Sequence, residues 1–85
     1  MATEKIILTG DWQLIVLDGV DFILQNPTVA VIDVCFSDTP PAAEAAFHTI
    51  ASTEGLVRMG VVGDVYARGL GENGTIGHLV VSRGV

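Results

Sequence analysis

Cys35, His48 and His78 are the residues whose types most readily ligate a metal or attack an electrophile. Structural zinc sites draw their ligands from close pairs, roughly two to four residues apart, and need four of them. These three are scattered and lack a fourth partner, so they read as isolated surface or half-buried side chains. Acid–base or nucleophilic chemistry needs a base beside a nucleophile, or paired carboxylates. Asp18 and Asp21 flank a hairpin turn, Asp38 opens a loop and Asp64 lies within a strand, places where carboxylates serve turns and solvent. No serine lies in a G-x-S-x-G elbow. The residues therefore offer no catalytic group, no metal site and no cofactor site.

Gly69-Leu70-Gly71-Glu72-Asn73-Gly74 matches the dinucleotide fingerprint G-x-G-x-x-G by spelling. That fingerprint works only between a strand and a helix whose N-terminus faces the pyrophosphate. Here Thr75–Ser82 follows, apolar and strand-like, so the glycines serve a loop between the last two strands. Asn73-Gly74-Thr75 also spells a glycosylation acceptor, expected to stay unmodified because MATEKIILTG does not read as a secretory signal. Trp12 and Tyr66 are the aromatics with which a carbohydrate-binding module would stack on sugars. Their strand positions suit core and interface roles equally.

These residues hang on a run of predicted strands. Thr28–Ser37, TVAVIDVCFS, is the most apolar, with Ala30, Ile32, Val34 and Phe36 on one face and Val29, Val31, Asp33 and Cys35 on the other. Apolar on both faces and β-branched, it belongs in the middle of a sheet. Lys5–Leu8 reads as a first, edge strand. Trp12–Leu17 and Val20–Gln25 alternate on either side of Asp18-Gly19, which predicts a tight type I′ hairpin. In the latter strand Val20, Phe22 and Leu24 share a face. Asp38–Ala46, rich in proline and alanine, reads as an ordered loop; one short helical turn is the alternative, disfavoured by its length and the lack of a capping box. Phe47–Ile50 and Leu56–Met59 are brief strands. Val61–Arg68 is half-buried with Gly63 as a bulge, and Thr75–Ser82 is the last strand, with Leu79 and Val81 on one face and Ile76, His78 and Val80 on the other.

Eighty-five residues make one domain over residues 1–85, with a core that covers roughly 60–65% of the unfolded surface. Against that, 49% of the residues are hydrophobic and the mean hydropathy is +0.55, so some apolar area must meet a partner. The net charge of −6 rests on ten acids against Lys5, Arg58, Arg68 and Arg83. Four dispersed cations cannot neutralise a run of phosphates, which excludes nucleic acid as an expected partner and argues against anionic membranes. No stretch approaches the roughly 20 apolar residues of a membrane helix. Cys35 is the single cysteine, so no internal disulfide forms, and a buried thiol acting as a small hydrophobe is expected. The chain reads as made in a cytosol. Strands punctuated by turns and no amphipathic helix predict an all-β fold, a small antiparallel β-sandwich or jelly-roll-like barrel of about six to eight short strands.

Three stretches together resemble small virion proteins of tailed bacteriophages. They are Thr9-Gly10-Asp11-Trp12 with its following strand, the loop Pro41–His48, and Gly63-Asp64-Val65-Tyr66-Ala67-Arg68-Gly69. Such proteins are all-β modules that act as capsid decoration (cement) proteins or as small domains of fibres and spikes. The resemblance implies a jelly-roll-like sandwich without catalysis, assembled in the bacterial host cytoplasm and carried in the virion. Its expected partners are further copies of itself, as a dimer or trimer, and the major capsid or another virion protein. A carbohydrate- or host-surface-binding module of a fibre or spike is the alternative. The family pattern contains no catalytic residues to carry over.

Overall fold

A computed structural model describes residues 2–18, 20–28, 31–51, 55–58, 63–69 and 77–83. Among these, eight strands form two antiparallel sheets. They are β1 (Ala2–Ile7), β2 (Gln13–Val16), β3 (Phe22–Gln25), β4 (Ile32–Ser37), β5 (His48–Ile50), β6 (Gly55–Arg58), β7 (Asp64–Arg68) and β8 (His78–Arg83). One sheet runs β1-β8-β3-β6 and the other β2-β7-β4-β5. The pairs β1·β8, β2·β7, β3·β6 and β4·β5 are those of one long ribbon folded back at the β4–β5 connection. Wrapping that ribbon places successive strands of each arm in alternate sheets, and β3·β8 and β4·β7 close the two sheets. This is the strand order of a jelly roll, and the all-β sandwich expected from the sequence is thereby met.

Alternation along the strands builds the core. Phe22 and Leu24 face inward from β3, Ile32 and Val34 from β4, Val65 and Ala67 from β7, and Leu79 and Val81 from β8, all buried. Fully burying an aliphatic side chain is worth about 1.5–3 kcal/mol, so this layer carries most of the stability. The strand β4 is internal to its sheet as expected, although it begins at Ile32; Val29 and Ala30 lie outside the described residues. The segment 38–47 is a loop with a single turn, closed by Ala45 N–H on the Ala42 carbonyl.

The expected hairpin at Asp18-Gly19 does not form. β2 and β3 lie in different sheets, and the dipeptide crosses between them. A turn is present all the same, because the Val20 N–H bonds to the Leu17 carbonyl at 3.2 Å. Its corner is clasped to the start of β7: Asp18 N–H donates to Asp64 Oδ1 at 2.9 Å, and Gly63 N–H donates to Asp18 Oδ1 at 2.6 Å. Gly63 is therefore no mid-strand bulge. It stands at the entry to β7 with φ of +94°, a conformation that L side chains rarely adopt. Gly19 itself lies outside the described residues.

The bulge falls in β2, where the register shifts between Leu14 and Val16. Ile15 and Val16 are consequently both buried and Leu14 points outward, so Leu14 and Val16 do not share a face as strict alternation predicts. Arg83 reaches from the opposite sheet and donates Nε–H to the Ile15 carbonyl at 2.7 Å, while pairing with Glu4. A second polar pin is Asn26, fully buried after β3. Its Nδ2 donates to the Ile50 carbonyl at 3.1 Å and to the Ala51 carbonyl at 3.3 Å, and its Oδ1 accepts from the Thr28 N–H and hydroxyl. Asn26 thereby ties the end of β3 to the end of β5 in the other sheet. Asn26→Ala strands these buried groups and should cost about 1–3 kcal/mol. For a domain of this size each kcal/mol lowers the melting temperature by about 4–8 °C, which thermal unfolding followed by circular dichroism would read.

Candidate functional site

The outer face of the sheet β2-β7-β4-β5 carries Leu14, Tyr66, Arg68, Asp33 and Cys35 at facing register positions. The loop between β4 and β5 folds over this face, and Arg68 holds it there. Arg68 Nε bonds to Asp33 Oδ2 at 3.1 Å, across the Asp33–Arg68 register pair. Its Nη1 donates to the Ala43 carbonyl at 2.7 Å. The guanidinium carbon lies 4.1 Å from the centre of the Trp12 ring and 5.1 Å from that of Phe47. Trp12 donates its indole N–H to the Ala42 carbonyl at 3.0 Å, and the two aromatic rings stand 6.3 Å apart with 59° between their planes. Planar, permanently charged and weakly hydrated, arginine suits this combined pairing and stacking in a way lysine does not. The Arg68 and Asp33 side chains are only 12% and 19% exposed.

The approach of Trp12 is set by local polar contacts. Gln13 accepts from the Thr9 N–H at 2.8 Å and donates to the Ile7 carbonyl at 3.1 Å, which fixes the connection from β1 to β2. The Thr9 carbonyl accepts the Gly69 N–H at 2.9 Å. Gly69, first of the fingerprint glycines, packs on Leu8: a Cβ there would lie 3.2 Å from the Leu8 Cβ and 3.3 Å from its Cδ1. Close packing explains this glycine, and the described element after the fingerprint is strand β8 rather than a helix. Residues 70–76, with the acceptor Asn73-Gly74-Thr75, lie outside the described residues.

Two shallow depressions flank the loop. One, of about 260 Å³, is lined by Asp11, Trp12, Pro40, Pro41 and Arg68 among others. The second, of about 190 Å³, is lined by Cys35, Phe36, Ala46, Phe47 and His48. The structure thus brings Cys35 and His48 to one depression and puts His78 on the other sheet. No group of three metal-ligating side chains occurs among the described residues. Asp18 and Asp64 come together, each carboxylate holding a backbone N–H of the turn region. Tyr66, one of the two aromatics suited to sugar stacking, is 6% exposed beside Leu14 and Cys35; Trp12 is half-buried. Sequence reasoning missed Arg68, Asp33 and Phe47 as a unit, because only the wrapped ribbon brings β4, β7 and the loop to one place.

Compared with models of protein families, with curated proteins and with solved structures, the chain matches none of them.

Among the described residues, no loop is folded over the opposite sheet. On its outer face Thr3, Ser82 and Ile23 form one register row, Lys5, Val80 and Gln25 a second, and Ile7 with His78 a third. All eight side chains are exposed or partly so. The loop 38–47 makes the difference between the faces, and the guanidinium makes the loop.

Cys35 is 7% exposed beneath that loop and should resist a thiol reagent in the native protein. Arg68→Ala leaves Asp33 largely buried and unpaired, and should cost about 3 kcal/mol in urea unfolding. It should also accelerate Cys35 labelling under native conditions by loosening the loop. Arg68→Lys should restore only part of either property. Labelling of the wild type within minutes, or an Arg68→Ala protein as stable as wild type, would contradict this role.

Proposed function

We propose that this chain is a structural, non-enzymatic virion protein of a tailed bacteriophage, a capsid decoration or cement protein that binds the particle surface. One observation carries the reading: the three stretches that resemble such proteins converge on a single unit. Trp12 from the first bonds to Ala42, Arg68 from the last bonds to Ala43, and Gly69 bonds to Thr9. Their product is an aromatic and arginine patch on a rigid sheet, with Phe47 45% exposed at its rim. Tryptophan and arginine held in place are the residues that dominate protein interfaces, since little rotamer freedom remains to be lost on docking. Its partners are the major capsid or another virion protein, and further copies of itself. The protein is made in the host cytoplasm and carried in the virion.

A jelly roll serves both viral shells and lectins, so the fold suits this reading and its alternative alike. The alternative, a carbohydrate- or host-surface-binding module of a fibre or spike, draws on the depression between Asp11, Trp12 and Pro41. Against it, the guanidinium lies over the Trp12 ring and the indole N–H is already committed to Ala42. A sugar would find one ring face occupied.

Quantitative mass spectrometry of purified particles separates the readings. A cement protein should be present in hundreds of copies, and Trp12→Ala, if it removes a hot spot worth about 2 kcal/mol, should weaken particle binding roughly 30-fold. A few copies per particle together with retention of glycans on an array would favour the fibre module. Absence from the particle would overturn the virion reading.

A further inference from the structure

We infer that the outer face of the sheet β1-β8-β3-β6 is a self-association surface, on which a second copy of this chain packs across a twofold axis. This deepens the proposed function, which includes copies of the chain among its partners, and rests on it. The chain carries a net charge of −6, so two copies repel wherever carboxylates face each other. Asp33 stands on the other sheet, Asp11, Asp38 and Glu44 lie in loops, Asp18 and Asp64 form the crossover clasp, and Glu4 is held by Arg83. Within the described strands no acid stands on the outer rows of β1, β8 and β3; Asp21, one residue before β3, stands at the rim. What these rows present is Ile7, Ile23 and Val80 among Thr3, Gln25 and Ser82, with Lys5 and His78 as the only titratable groups. Among the described residues, two such faces can meet with no carboxylate in their strand rows, which suits an acidic chain approaching itself.

Size agrees with this. The molecule measures 36 × 26 × 16 Å, and a sandwich presents its sheets on the two broad faces. That footprint can supply the roughly 800 Å² per partner that a standard interface buries. The other broad face is partly occupied by the chain's own loop through Arg68, Trp12 and Phe47. Two bare sheets stacked about 10 Å apart form a four-layer particle with the aromatic patches at its two outer ends. Self-association and docking then use opposite faces and do not compete.

The test is light scattering coupled to size exclusion at micromolar protein, for wild type, Ile23→Glu, Val80→Glu and the opposite-face control Leu14→Glu. Circular dichroism checks that each is folded. Wild type and Leu14→Glu should have about twice the 8.9 kDa mass of one chain. Ile23→Glu and Val80→Glu should fall to the single-chain mass. Added salt should leave the wild-type dimer intact or strengthen it, because no ion pair holds it. A wild-type oligomer that survives both Ile23→Glu and Val80→Glu would overturn this face while leaving self-association standing. A wild type at 8.9 kDa would overturn self-association itself. Should the glutamate variants not fold, a spin label answers instead. On Gln25→Cys it should be immobilised at micromolar protein and freed on dilution, while one on Thr49→Cys, on the other sheet, should not respond; the reverse pattern would overturn the assignment.

Discussion

The guanidinium of Arg68 is the constraint on which the surface organisation of this protein depends. It sits at the end of β7, pairs with Asp33 on the neighbouring strand, and holds the loop 38–47 through the Ala43 carbonyl. Stacking on Trp12 and Phe47 adds about 0.5–2 kcal/mol, the range for a cation over an aromatic face from exposed to desolvated. The loop in turn covers the second face of β4, whose Cys35 would otherwise meet water. A composition this apolar demands cover on both faces of its central strand, and the chain supplies both, the facing sheet over Ile32 and Val34 and the loop over Cys35. One sheet is thereby partly covered on its outer side, while among the described residues no loop is folded over the other.

Much of the fold was legible in the residues. Phe22, Leu24, Leu79 and Val81 alternate inward as their spacing requires, and turn residues mark strand ends. The edge position of β1, the internal position of β4 and the loop after it follow from the sequence as well. The pairing of β2 with β3 does not, although Asp18-Gly19 is the strongest hairpin signal in the chain. Turn chemistry specifies that the chain reverses, and here it does so between sheets. In a wrapped ribbon only β4 and β5 are both consecutive and paired, so partners must be chosen by contacts distant in sequence. The bulge at Ile15 was hidden for a related reason: its carbonyl is satisfied by Arg83 from the far end of the chain.

The candidate site was legible only in pieces. Trp12 was visible as an aromatic near a turn, and Arg68 as one of four cations, but nothing in their spacing joins them to Asp33 or Phe47. The glycine fingerprint shows the converse, a motif with a spelling and no matching context. At Gly69 a side chain would press on Leu8, which would have to give way by a few tenths of an ångström.

The Arg68 side chain can be observed directly by nuclear magnetic resonance on protein labelled with nitrogen-15. A guanidinium held in this way should give a resolved, slowly exchanging Nε–H resonance with cross-relaxation to the Trp12 ring protons, and side-chain methylene protons shifted upfield by the aromatic ring currents. An Nε–H that exchanges with water as in an unfolded peptide, with methylene shifts at their unstructured values, would contradict the claim that this one residue holds the loop on the sheet.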